Sequence, residues 1–141
     1  MDKNFSQSQT VKDLPRSLRG LPFGKMKDAV LGPSYKLSLV FIGDALSRKL
    51  NRTYRGKDRP TNVLSFPVSS KSGEIFINIK KVSQERKEFE KSLKDLTGYL
   101  FIHGMLHLKG MGHGSRMEEA ENKILIKFKL QNNDSRDPSG Y

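Results

Sequence analysis

Apolar and polar residues alternate from Lys36 to Gly43, with Leu37, Leu39 and Phe41 on one side, and this period of two predicts a strand. The same period returns over Val63–Val68 and over Glu74–Ile79, where Ile75, Ile77 and Ile79 share a face. Pro67 cannot donate to a sheet ladder, so it argues for an edge strand or for the end of pairing. Ser69–Gly73 reads as the turn between these two strands. The period then lengthens. Phe89, Leu93, Leu96, Leu100, His103 and His107 follow a stride of three and four, which predicts one long helix from Val82 to His107. Lys91, Lys94 and Glu88 fall off that stripe and are expected in solvent.

Shorter helices are predicted elsewhere. Phe23–Leu31 ends at Gly32-Pro33, a pair that stops a helix. Asp44 is placed to cap a helix to Tyr54 whose inward positions are Leu46, Leu50 and Tyr54. Ser115-Arg-Met-Glu118 has the form of a capping box, opening a last helix with Met117, Ala120, Ile124 and Phe128 inward. The expected fold class is α+β, a small mixed sheet packed against helices, with the chemistry at the end of the long core helix. The polar stretch before residue 20, with the short helix after it, reads as a loosely ordered arm over 1–35. A single catalytic domain over 36–130 and a polar tail over 131–141 complete the organisation. A chain of 141 residues is one domain by size.

The end of the core helix carries the candidate chemistry. All three histidines of the chain fall within His103–His113, read as H-G-M-L-H-L-K-G-M-G-H. His103 and His107 are four apart and so share one helix face, the separation at which two imidazoles grip one ion. A pair of this kind also arises by accident. Gly110 changes the balance, because a left-handed turn there swings His113 back over the pair. Three neutral nitrogen donors with no fourth side chain form the catalytic type of zinc site, whose open position holds a water. Zinc proteases with a related pattern place a glutamate after the first histidine as general base; here that residue is Gly104, which counts against peptide hydrolysis.

Composition narrows the partners. With no cysteine there is no disulfide framework and no thiolate metal site. No apolar run approaches a membrane span, and Met1–Thr10 has no secretory hydrophobic segment, so a cytoplasmic protein without a membrane is expected. Net charge is +11. Residues 1–60 hold thirteen Lys and Arg against five Asp and Glu, so the first part of the chain carries +8 of it. Arg48, Lys49, Arg52, Arg55, Lys57 and Arg59 cluster around a single acid, Asp58, a pattern that attracts polyanions. Arg48, Lys49, Arg52, Lys57 and Arg59 read as a backbone-binding rim for nucleic acid.

Leu50-Asn-Arg-Thr-Tyr-Arg55-Gly-Lys-Asp-Arg-Pro-Thr-Asn-Val-Leu-Ser-Phe-Pro67 and the histidine window His103–His113 together resemble the bacterial YbeY family, the rRNA maturation endoribonucleases. With the Gly73-Glu74-Ile75 strand and the glutamate-rich start of the last helix, the resemblance covers roughly residues 36–130. It implies an α+β fold and one zinc ion held by His103, His107 and His113. It also implies metal-dependent cleavage of single-stranded RNA in small-subunit rRNA maturation and ribosome quality control. Arg55 takes the place of the family's functional arginine, and an rRNA precursor, the small ribosomal subunit and its assembly factors are the implied partners. One departure stands out: the family usually has aspartate just before the third histidine, where this chain has Gly112.

Two other readings compete. A non-catalytic RNA- or ribosome-binding assembly factor would use zinc only to stabilise its fold, but structural zinc usually has four protein ligands. A metallohydrolase acting on a small molecule or peptide has no use for the basic loop.

Overall fold

The computed structural model describes residues 9–130. Four strands form one mixed sheet: β1 (Gln9–Lys12), β2 (Lys36–Ile42), β3 (Val63–Ser69) and β4 (Ser72–Asn78), in the order β1-β2-β4-β3. β1, β2 and β4 run parallel, and β3 pairs antiparallel with β4, as a short hairpin requires. The helices are α1 (Phe23–Leu31), α2 (Asp44–Arg55), α3 (Ile79–Glu88), α4 (Leu93–Leu108) and α5 (Ser115–Lys127). The α+β class and the edge position of the Pro67 strand are as expected.

The pleat sorts the sheet into two unlike faces. Leu37, Leu39, Phe41, Val63, Ile75 and Ile77 point into the core, each less than a twentieth exposed. Their neighbours there are Phe23 of α1 and Phe101 of α4, whose rings meet edge to face at 5.2 Å, with Phe41 6.0 Å from Phe23. Leu96, Leu100, Met117 and Leu125 extend the same core into α4 and α5. The opposite face is covered by α2 at one end only: Ile42, Leu64 and Asn78 are buried, whereas Val40, Phe66, Glu74 and Phe76 are half-buried and Lys36 and Val68 exposed.

Four expectations change. The arm is no loose appendage from Gln9 onward: β1 lies along β2, a turn at Arg16–Leu18 follows, and Leu18, Leu21, Phe23 and Met26 are buried. Aliphatics spaced by loop residues give no period to read, which is why this stretch looked peripheral. Residues 1–8 of that arm, and the tail over 131–141, lie outside the described residues.

The long helix is two helices. Glu90 adopts a left-handed φ of 54°, and the amide of Lys91 closes the end of α3 on the carbonyl of Arg86. The Ser92 side chain then caps α4 by accepting from the amide of Asp95 at 3.0 Å. Leu93 falls four residues after Phe89, so the stride passes through the break without a gap. Lys91, expected in solvent, is buried.

The buried face of α2 is polar. Ser47 and Asn51 are inside, while Leu46 and Tyr54 are 44% and 66% exposed. The Ser47 hydroxyl donates to the Thr61 carbonyl and accepts from its amide, and the Asn51 amide donates to the Arg59 carbonyl. These bonds fold the 56–61 loop back on the helix, where apolar residues would leave its backbone unsatisfied. At the helix ends, Gly43 rather than Asp44 holds the cap position of α2, and Gly114 rather than Ser115 that of α5. Ile79 opens α3 instead of closing β4, capped by the Asn78 side chain.

Candidate metal centre and RNA surface

His103 and His107 lie on the last two turns of α4, and the chain then reverses. Gly110 takes a φ of 97°, a left-handed conformation that a side chain would strain, and the Gly110 amide closes the helix on the carbonyl of His107. The reversal brings His113 back. Its ring centroid is 5.1 Å from that of His103 and 4.9 Å from that of His107, and those two rings are 4.6 Å apart. One ligand nitrogen from each ring falls within 4.8 Å of the others. His103 is buried, His107 half-buried and His113 exposed, so the group opens to solvent on the side of the third ring.

Each helix-borne ring is held by its other nitrogen. Nδ1 of His103 donates to Oε2 of Glu121 at 3.0 Å, and Nδ1 of His107 donates to the backbone carbonyl of Met111 at 3.0 Å. A carbonyl only accepts, so the proton of His107 sits on Nδ1 and its Nε2 presents a lone pair. The carboxylate does the same for His103. The two Nε2 atoms face each other at 3.0 Å, and in the neutral tautomers that these bonds select both present lone pairs that one cation can share. Two nitrogens on one zinc at about 2.0–2.1 Å stand about 3.3 Å apart in a tetrahedron, so the donor set fits such an ion.

Glu121 escaped the reading of the sequence. It is buried on α5, four residues from both Met117 and Leu125, which are also buried. A carboxylate in the middle of an apolar helix face was the available signal, because a buried acid needs a partner.

Gly104 has a steric role. A Cβ built there would meet Ser65 Oγ at 2.8 Å and Ile75 Cδ1 at 3.2 Å. The Ser65 hydroxyl donates to the Gly104 carbonyl at 3.0 Å and ties α4 to the edge strand β3. The position where a zinc protease carries its glutamate is here pressed against the sheet, with no room for one.

The cations lie on α2 and the loop that follows it. Tyr54 packs on Phe66, with ring centroids 5.1 Å apart, and Phe66 follows Ser65 on β3, so α2 and α4 touch opposite faces of one strand. Arg55 ends α2 and is half-buried. Arg48, Lys49, Arg52, Lys57 and Arg59 are exposed on α2 and its returning loop. Asp58 gathers two of them, accepting from Arg48 at 2.8 and 3.0 Å with Arg52 at 3.7 Å. The Arg48 guanidinium holds the Asp58 carboxyl below its ordinary range, and the same pair raises Arg48. At the start of α2, the Asn78 amide donates to Asp44 and lowers its carboxyl likewise. The structure thus gathers the three histidines into one group, while the cations are carried by α2 and the loop after it.

A family model described as Endoribonuclease YbeY matches residues 6–131. The chain belongs to the YbeY endoribonuclease family. The Endoribonuclease YbeY of Rhizobium etli is 39% identical over 123 residues, covering 77% of this chain and 68% of the relative. That of Chelativorans sp. is 40% identical over 111 residues, with 72% and 68% covered. That of Nitratiruptor sp. is 41% identical over 101 residues, with 67% and 70% covered. A solution structure of a Thermotoga maritima protein superimposes with a TM-score of 0.61 at 21% identity, covering 94% of this chain and 99% of that one, and shares the fold. Among the described residues no helix is long and apolar enough to cross a membrane.

Proposed function

We propose that this YbeY-family chain is a zinc-dependent, single-strand-specific endoribonuclease of the cytoplasm, acting in small-subunit rRNA maturation and ribosome quality control. The observation that carries the reading is the pair of facing Nε2 lone pairs of His103 and His107, with His113 swung over them. A zinc ion held there would supply a bound water acidified to a pKa of about 7. The chain's own groups do the rest. Glu121 and the Met111 carbonyl keep the first two rings aimed, so little reorganisation accompanies metal binding. The planar guanidinium of Arg55 engages two oxygens of the phosphate and offsets the charge that builds up during cleavage. Arg48, Lys49, Arg52, Lys57 and Arg59 hold the RNA backbone without reading its sequence. An rRNA precursor, the small ribosomal subunit and its assembly factors are the partners this reading assigns.

The second reading is a non-catalytic RNA- or ribosome-binding assembly factor whose zinc serves the fold, and Gly112 favours it by removing a carboxylate beside the third ligand. His107→Ala and, separately, Arg55→Glu, assayed on a single-stranded RNA, decide between them. Loss of cleavage in both, with Arg55→Glu folded, metal-loaded and slower by about a hundredfold or more, is the expected result. Metal-loaded wild type that binds the RNA without cutting it would overturn the nuclease assignment in favour of the assembly factor, and cleavage that survives complete metal removal would overturn the zinc dependence.

A further inference from the structure

The face of the sheet turned away from the histidines is unfinished as a core surface. Phe66 of β3 and Phe76 of β4 are half-buried and meet edge to face at 5.9 Å. Tyr54 extends the run from α2, 5.1 Å from Phe66 and 66% exposed, and Val68 beyond it is 64% exposed. A large aromatic ring left in water on a helix with four cations is costly as a packing solution. It is well suited to a flat, apolar, negatively charged partner. Every base of a single strand offers a π-face, and its phosphates answer the charge of the exposed Arg52, Lys57 and Arg59, close to Tyr54 in the chain, and of exposed Lys36 on β2. Glu74 stands opposite Phe66 in the register, an acceptor for the amino groups on base edges.

We propose that Tyr54, Phe66 and Phe76 form a base-stacking subsite for single-stranded RNA, from which the strand crosses the edge of the sheet at β3 to reach the histidines. Placement supports the path. Phe66, which carries Tyr54, and Ser65, which holds the Gly104 carbonyl between His103 and His107, are consecutive residues of that edge strand. A duplex is too stiff to fold around one strand and hides its base faces, so the subsite selects unpaired RNA. The inference rests on the endoribonuclease reading for its substrate class.

The test separates the two. The full chain, stripped of metal with a chelator to stop cleavage, is titrated into a fluorescein-labelled single-stranded RNA, and anisotropy reports the Kd. Tyr54→Ala should weaken binding about fivefold or more while Tyr54→Phe stays close to wild type, because the ring and not the hydroxyl stacks. An abasic oligonucleotide of the same length should bind wild type and Tyr54→Ala alike. Leu46→Ala, an exposed apolar residue of the same helix, should change nothing. Equal affinity of Tyr54→Ala and wild type for the base-bearing strand would overturn the subsite, as would an equal loss on the abasic strand. If the tyrosine effect is seen but metal-loaded wild type does not cut RNA, the subsite stands as a binding surface and the endoribonuclease reading falls. If wild type binds no single-stranded RNA at all, both fall.

Discussion

Glu121 and His103 are eighteen residues apart in the chain and 3.0 Å apart in space, a carboxylate on α5 accepting from a ring on α4. Both are buried, so the bond fixes the ring that points at the metal position. Glu121→Gln keeps the size of the side chain and removes its charge. Zinc affinity should fall about ten- to a hundredfold, measured by competition with a chromophoric chelator. Unchanged affinity would make Glu121 a packing residue.

Gly104 and Ser65 set the spacing between the histidine helix and the edge strand. Gly104→Ala should destabilise the fold by about 1–3 kcal/mol, read from thermal or denaturant unfolding. Ser65→Ala removes the oxygen that the new methyl would meet at 2.8 Å. The alanine at 104 should therefore cost less in that background than in wild type. Strict additivity of the two changes would show that the close approach is not what forbids a side chain.

Around Gly112 there is open space, with nothing within 4 Å of a built Cβ. The aspartate usual in the YbeY family can stand there without a clash. Gly112→Asp should raise the rate of RNA cleavage while leaving the melting temperature within a few degrees of wild type. A rate equal to or below that of wild type would mean this chain has no use for the carboxylate.

Asp58 occupies two of the cations of the proposed RNA rim. Asp58→Asn frees Arg48 and Arg52, so single-stranded RNA should bind more tightly at low salt. The slope of log affinity against log salt should steepen by about one. A slope unaltered from wild type would place Arg48 and Arg52 off the RNA path.

Two carboxyls tie α2 in place, and both are held below the ordinary value of 3.8, Asp44 by the Asn78 amide and Asp58 by the Arg48 guanidinium. A lowered folded-state value means the contribution is present above the ordinary value and disappears as the pH drops through the folded one. Amides of α2 and the 57–61 loop should therefore lose protection in acid before those of α4. Hydrogen exchange checks this, and Asp44→Asn should weaken the dependence at the start of the helix.

The histidine group was legible because it needs only a count and a spacing: three rings in one window, a helical pair, a glycine at the bend. The strands were legible from their period of two. What stayed hidden depended on distant partners. Glu121 has meaning only once His103 is known to lie beside it. Ser47 and Asn51 look like a solvated face until the 56–61 loop is seen to fold onto them. The break at Glu90 was invisible for the opposite reason, since the apolar stride continues across it and only the serine cap at 92 gives it away.

β1 is a short strand at the margin of the sheet, and its register with β2 runs from Gln9–Leu37 to Lys12–Val40. Remove it, and the backbone amides and carbonyls of an aliphatic parallel strand lie bare to any other chain that can supply the missing ladder. A protein trimmed past Lys12 should then seek its complement in a second molecule and assemble through strand exchange.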